Sequence, residues 1–210
     1  MNILESFGNI PIDTSVLYSI TEKYKFRRNK ISAMEKRGDL LRLKKGLYVV
    51  SPAISRKPLS RGLIANHLYG PSYVSFESAL AFYGLIPEQV YALRSAVFKR
   101  AKLFENAVGR FEYITVPQDY YPIGISRQTV DHECAYLLAS PEKALCDQIL
   151  ITPNLRLQSV RAMRIYLEED MRIDFSAVQG RFDTGIIRQC AERGRKKAEL
   201  ECLAEFASKF

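Results

Sequence analysis

At 210 residues, 47% hydrophobic and 26% charged, the chain has room for one large domain or two small ones with a substantial buried core. No apolar run reaches the ~18 residues of a membrane helix, and the opening MNILESFGN lacks the basic start and apolar stretch of a secretory signal. A cytoplasmic protein is the expectation, and a formal net charge of +8 favours a polyanionic partner.

Ile3, Leu4 and Phe7 predict a short opening helix that ends near Gly8. Asp13 is placed to cap a helix over 14–20, with Val16, Leu17 and Ile20 on one side. A polar break, Glu22 to Lys25, precedes a second helix from about Phe26 to Arg37, with Ile31 and Met34 inward and Gly38 at its end. Leu40–Arg42 and Leu47–Val50 then read as two strands around Lys44-Lys45-Gly46. Helix, break, helix and hairpin in that order predict a winged helix-turn-helix over residues 1–51. Charge is concentrated in the same place. Thr21–Val50 holds ten basic and three acidic residues, a surplus of seven against +8 for the whole chain.

In such a unit the second helix enters the major groove. Opposite Ile31 and Met34 it carries Arg28, Asn29, Ser32 and Lys36. Arginine and asparagine are the types that bond guanine and adenine edges bidentately. Arg42, Lys44 and Lys45 on the wing are expected to meet phosphates, which position a protein without reading sequence. Lys25, at the end of the polar break, and Arg27, at the start of the helix, complete the candidate DNA-binding set. The competing reading is a solvated basic helix beside a hairpin.

Ser51–Lys57, followed by Pro58, reads as a connector too short to act as a loose tether. Residues 58–210 are expected to form a larger mixed α/β domain with a helical C-terminus, so the chain as a whole is predicted to be α+β. Helices are predicted over Leu59–Tyr69 and over Phe76–Tyr83, the second with Ser75 as cap and Gly84 closing it. Strands follow over Tyr91–Arg100, Lys102–Phe104 and Arg110–Val116, the last two flanking a turn at Asn106–Gly109. RFEYITV is apolar on both sides, which places this sheet between helices. Ser140, Pro141 and Glu142 mark a helix start that runs through Leu150 to a stop at Pro153. The remainder is expected to be mostly helical, with a polar turn at Leu167–Asp170 and a helix from Ile186 to Phe210 broken at Gly194, or two helices.

The four cysteines, Cys134, Cys146, Cys190 and Cys202, form no C-x-x-C pair and stand apart from His67 and His132, so no metal module is expected and reduced thiols are. No phosphate-binding glycine loop, nucleophile elbow or H-E-x-x-H is present, and no acidic residue stands two before a lysine as in restriction-type nucleases. No cofactor is implied. Ser140 and Lys143 have serine–lysine spacing, but a helix cap with a first-turn ion-pair partner explains them. His67 and His132 are read as structural or exposed rather than catalytic. Arg193–Lys197, RGRKK, is either a second nucleic-acid contact or the charged face of a helix.

Three stretches go beyond general pattern: Leu43–Val50 (LKKGLYVV), Tyr73–Val90 (YVSFESALAFYGLIPEQV) and Ala139–Ile149 (ASPEKALCDQI). In this order they resemble the AbiEi family, the antitoxins and transcriptional regulators of bacterial abortive-infection AbiE systems. The resemblance covers about residues 10–150. It implies a winged helix that binds inverted repeats in double-stranded DNA upstream of its own operon. It also implies a C-terminal domain with antitoxin activity against a nucleotidyltransferase-like toxin encoded next to it, with or without direct contact. It assigns DNA reading to Arg27, Arg28, Asn29, Ser32 and Lys36, with Arg42, Lys44 and Lys45 on the wing. A non-enzymatic autorepressor and antitoxin, pairing as a dimer on DNA, is the leading expectation. The alternatives are a winged helix that binds an acidic protein, and a metal-dependent nucleic-acid-processing enzyme built from Asp119, Asp131 and Asp147.

Overall fold

The computed structural model describes residues 3–131, 134–175 and 182–209. It is a mixed α and β structure with two sheets. The chain opens with a single 3-10 turn, Glu5–Phe7, in place of the expected helix. Gly8 adopts φ +56 directly after it and turns the chain away. Next come β1 (Ile12–Asp13), α1 (Thr14–Ile20), α2 (Arg27–Lys36), β2 (Leu40–Lys44) and β3 (Leu47–Val50). The strands form an antiparallel sheet in the order β1-β3-β2. Asp13 caps α1, accepting from the Ser15 amide at 2.9 Å and the Ser15 hydroxyl at 2.6 Å. Leu17 of α1 and Ile31 and Met34 of α2 are buried with Leu4, Ile12, Leu40, Tyr48 and Val50 in one hydrophobic cluster. Each such side chain taken fully from water contributes about 1.5–3 kcal/mol before the entropy of ordering it.

The expected connector is partly helical: α3 (Pro52–Ser55) starts on Pro52, whose fixed φ suits a first helical position. The larger part then contains α4 (Arg61–Leu68), β4 (Tyr73–Val74), α5 (Phe76–Phe82), β5 (Ala92–Val97), β6 (Lys102–Asn106) and β7 (Gly109–Thr115). It continues with β8 (Ile125–Val130), β9 (Cys134–Ala139), α6 (Pro141–Ile151), α7 (Val160–Ile165), α8 (Thr184–Arg193) and α9 (Lys197–Ala207). Six strands pair in the order β6-β7-β5-β4-β9-β8, with β5–β7 and β4–β9 parallel. Val74, Ser95 and Tyr113 are register partners and share one face. That face meets α4, where the Tyr113 hydroxyl donates to the Ala65 carbonyl at 2.7 Å. Tyr73 points the other way, under the Lys143 ammonium of α6. Helices therefore cover both faces, as the doubly apolar pattern of RFEYITV requires.

Several local expectations differ. Strand β8, ISRQTV, lies between two regions read from the sequence and was not expected. The turn at Leu167–Asp170 is a π-helical turn, Tyr166–Asp170, that buries Leu167. The last helical stretch is two helices, α8 and α9, parted at Gly194. Ser75 does not cap α5; its hydroxyl donates to Asp147 instead, at 2.6 Å. Ser140 does cap α6, accepting from the Lys143 amide at 3.3 Å. The first 51 residues do not close on themselves. Leu43, Leu47 and Val49 face the larger core and are buried in it. Asn106 donates to the Leu43 carbonyl at 3.1 Å, and Asn9 donates to the Pro58 carbonyl at 3.1 Å.

Candidate nucleic-acid interface

Burial of Ile31 and Met34 fixes which side of α2 meets water. At about 100° per residue, Arg28, Asn29, Ser32 and Lys36 fall within about a quarter of the circumference, away from both. All four are exposed, as are Lys25 before the helix and Arg27 at its start. Lys23, Lys25, Arg27, Arg28, Lys30 and Lys36 have no carboxylate partner among the described residues. Lys30 lies instead over the Tyr24 ring, 4.5 Å from its centroid, and Lys25 lies 5.7 Å from that of Phe26. Six cations on one short segment repel one another, and their fields add where no counter-charge is built in.

The wing residues divide. Arg42 is held to α2 by Glu35, 3.3 Å from its Nε, and donates to the Tyr48 hydroxyl at 3.2 Å. Its guanidinium also stacks over the Tyr48 ring. Lys44 turns back into the protein and donates to the Leu68 carbonyl at the end of α4, 2.6 Å away. Burial, and then the nearby Lys102 ammonium, lower its pKa below the usual lysine value. Lys45 is exposed at the hairpin tip beside Gly46, whose carbonyl accepts from the Thr14 amide at 2.9 Å. Lys45 is thus the wing lysine with a cation free for an external anion, while Lys44 is engaged with the fold. A groove of about 710 Å³ runs beside this tip, lined in part by Ile10, Val16, Lys45 and His67.

In the larger part some basic residues face carboxylates, whereas Lys99 meets the Gly70 carbonyl and Lys102 the Tyr69 ring. Arg94 bonds Glu77 at 2.8 Å and Glu112 at 3.1 Å; Arg110 and Arg172 pair with Glu112 and Glu88. Arg94 and Glu77 line a cleft of about 420 Å³ with Tyr91, Gln148 and Met171. In the RGRKK stretch, Lys196 caps the end of α6 by donating to the Ile149 and Thr152 carbonyls, and Lys197 pairs with Glu201. Arg193 and Arg195 are exposed.

Lys143 is not a surface ion-pair partner but fully buried. Its ammonium lies 3.3 Å from the equally buried Asp147, donates to the Tyr120 carbonyl at 3.0 Å and sits over the Tyr120 ring. Ser140 is occupied as the α6 cap, so no serine–lysine pair points at a cavity. Glu142 is buried too and accepts from the Asp183 amide at 3.0 Å. Asp131 accepts from Asn9 at 3.3 Å, Asp147 is enclosed, and Asp119 is exposed. Among the described residues no three His, Cys, Asp or Glu side chains gather as metal ligands. All four cysteines are unbridged, and burial pushes the Cys146 thiol up. His67 stands in the last turn of α4, its imidazole pKa lowered by burial. His132 lies outside the described residues.

Compared with known protein families and with curated proteins, the chain matches none. Among the described residues no helix is long and apolar enough to cross a membrane.

Sequence reasoning missed the aromatic half of the α2 surface. Tyr24 and Phe26 alternate with Lys23, Lys25 and Arg27, and both rings are exposed. The signal was present in the string KYKFRR, where two aromatics interrupt a basic run that needs neither for packing.

Proposed function

We propose that this protein is a double-stranded DNA-binding transcriptional repressor of the AbiEi type, with residues 1–51 acting as a winged helix-turn-helix. The observation that carries the reading is the exposed face of α2, where Arg28, Asn29, Ser32 and Lys36 stand together and the cations have no carboxylate partner among the described residues. The order β1, α1, α2, β2, β3 and the sheet order β1-β3-β2 support it, because α2 is then the helix presented to a groove and the β2–β3 hairpin the wing beside it. In this reading Arg28 and Asn29 contact base edges, while Lys25, Lys36 and Lys45 contact phosphates. Arg27 and Ser32 flank them, and Arg42 is a lesser contributor because Glu35 already faces it. An inverted-repeat operator near the protein's own operon and an antitoxin role for residues 58–210 against a nucleotidyltransferase-like toxin follow from the family resemblance alone.

Selection of duplexes from a randomised pool by the full chain, followed by titration at several salt concentrations, tests this. Arg28→Ala with Asn29→Ala is expected to relax sequence preference. Lys25→Ala with Lys45→Ala is expected to weaken all duplexes alike and to flatten the salt slope by about two. Unchanged binding in both double variants refutes the reading. Binding to an acidic protein without any duplex preference would favour the protein-interaction alternative.

A further inference from the structure

We propose that Phe26 reads a thymine: its ring packs against the C5-methyl group in the major groove, beside the bases met by Arg28 and Asn29. This rests on the reading of α2 as the groove helix. Phe26 stands immediately before α2 and is 65% exposed. Among the described residues it belongs to neither hydrophobic cluster, so folding does not account for it. Its position is the cap of α2, where Ser, Thr, Asp or Asn would supply an acceptor to the first turn; Phe26 supplies none. Two local rules are therefore broken at one residue, an exposed large aromatic and an unfilled cap, and such double departures mark functional positions.

The surroundings say what the ring would meet. Lys25 and Arg27 flank it in sequence and Arg28 follows, all exposed and without carboxylate partners among the described residues. An acidic protein segment could satisfy the charges. A duplex satisfies both features at once, since its backbone answers the cations and its major groove offers one apolar group, the thymine methyl. Tyr24 plays a different part. Its ring lies under both Lys30, at 4.5 Å, and Lys23, whereas the Phe26 ring has Lys25 at 5.7 Å and is the more exposed of the two.

The test uses the full chain and the duplex recovered from a randomised pool. Each thymine is replaced in turn by deoxyuridine, which removes only the methyl, and affinity is measured for wild type, Phe26→Leu and Phe26→Ala. Wild type is expected to lose about fourfold at one or two thymines, the worth of one buried methyl. Phe26→Ala should bind the thymine duplex correspondingly more weakly and no longer distinguish thymine from uracil, with Phe26→Leu between. Because Phe26 is exposed, thermal midpoints should match, which separates a reading defect from a folding one. A wild type indifferent to every replacement, or Phe26→Ala with the wild-type thymine-to-uracil ratio, overturns the proposal while leaving DNA binding in place. A pool that enriches no sequence removes the groove-helix reading itself, and this inference with it.

Discussion

Replacing Lys143 with methionine tests the buried centre of the larger core. The ammonium and the Asp147 carboxylate are both fully enclosed, 3.3 Å apart. After Lys143→Met the carboxylate keeps the Ser75 hydroxyl, 2.6 Å away, and the Tyr120 carbonyl is left with the longer bond from the Ile123 amide, 3.4 Å. Breaking a buried pair from one side costs about 3–5 kcal/mol, and the lost hydrogen bond to the Tyr120 carbonyl about 1 kcal/mol. The two penalties overlap because one group serves both partners, so about 4 kcal/mol is expected in total. With a urea m-value of about 2–3 kcal/mol/M, the midpoint should fall by roughly 1.3–2 M. Tyrosine fluorescence can follow it, since the chain has 12 tyrosines and no tryptophan. The double variant Lys143→Met with Asp147→Leu removes both charges and should recover to within about 2 kcal/mol of wild type, since apolar replacement of a buried pair is often close to neutral. Additive costs in the double variant, with coupling below about 0.5 kcal/mol, would refute the view that these two residues act as a unit.

Lys45→Ala should lower the salt slope of duplex binding by about one, whereas Lys44→Ala should leave that slope nearly unchanged and lower the thermal midpoint instead; salt titrations and melts of both variants check this. The Ser15 hydroxyl and amide hold the Asp13 carboxyl below its usual range. Its stabilisation is therefore present above the unfolded value, about pH 4, and lost as pH falls from there through the lower folded one. Melts across that range should show a decline that is shallower in Asp13→Ala; identical slopes would remove the assignment. Gly124→Ala places a methyl 2.8 Å from Ile186 Cγ2 and 2.9 Å from Lys143 Cβ, at φ +61. It should cost about 1–3 kcal/mol in urea unfolding.

The parts legible in the sequence were those decided by near neighbours. Asp13 before α1, and Ser140-Pro141 before α6, cap helices because the amides they serve are two or three residues away. The hairpin at Asn106–Gly109 was equally local. Ser75 has the composition of a cap, but a buried carboxylate 72 residues further on outcompetes the helix for its hydroxyl. Glu142 reads as a dipole partner, yet it is buried and bonds the Asp183 amide from another helix start. Lys44 looked like its neighbour Lys45 until folding brought the Leu68 carbonyl within 2.6 Å. Strand β8 escaped because ISRQTV sits at the sheet edge, where half its residues face water and the apolar alternation is faint.

The back of the small β1-β3-β2 sheet has a practical meaning for anyone cutting the gene. Leu43, Leu47 and Val49 are packed into a core built mostly of side chains from beyond residue 58. A truncated product ending near Ser51 would present that greasy underside to solvent and stick to itself. The amino-terminal unit is therefore not a cassette to be shuffled between proteins; it can be transplanted only together with the scaffold it leans on.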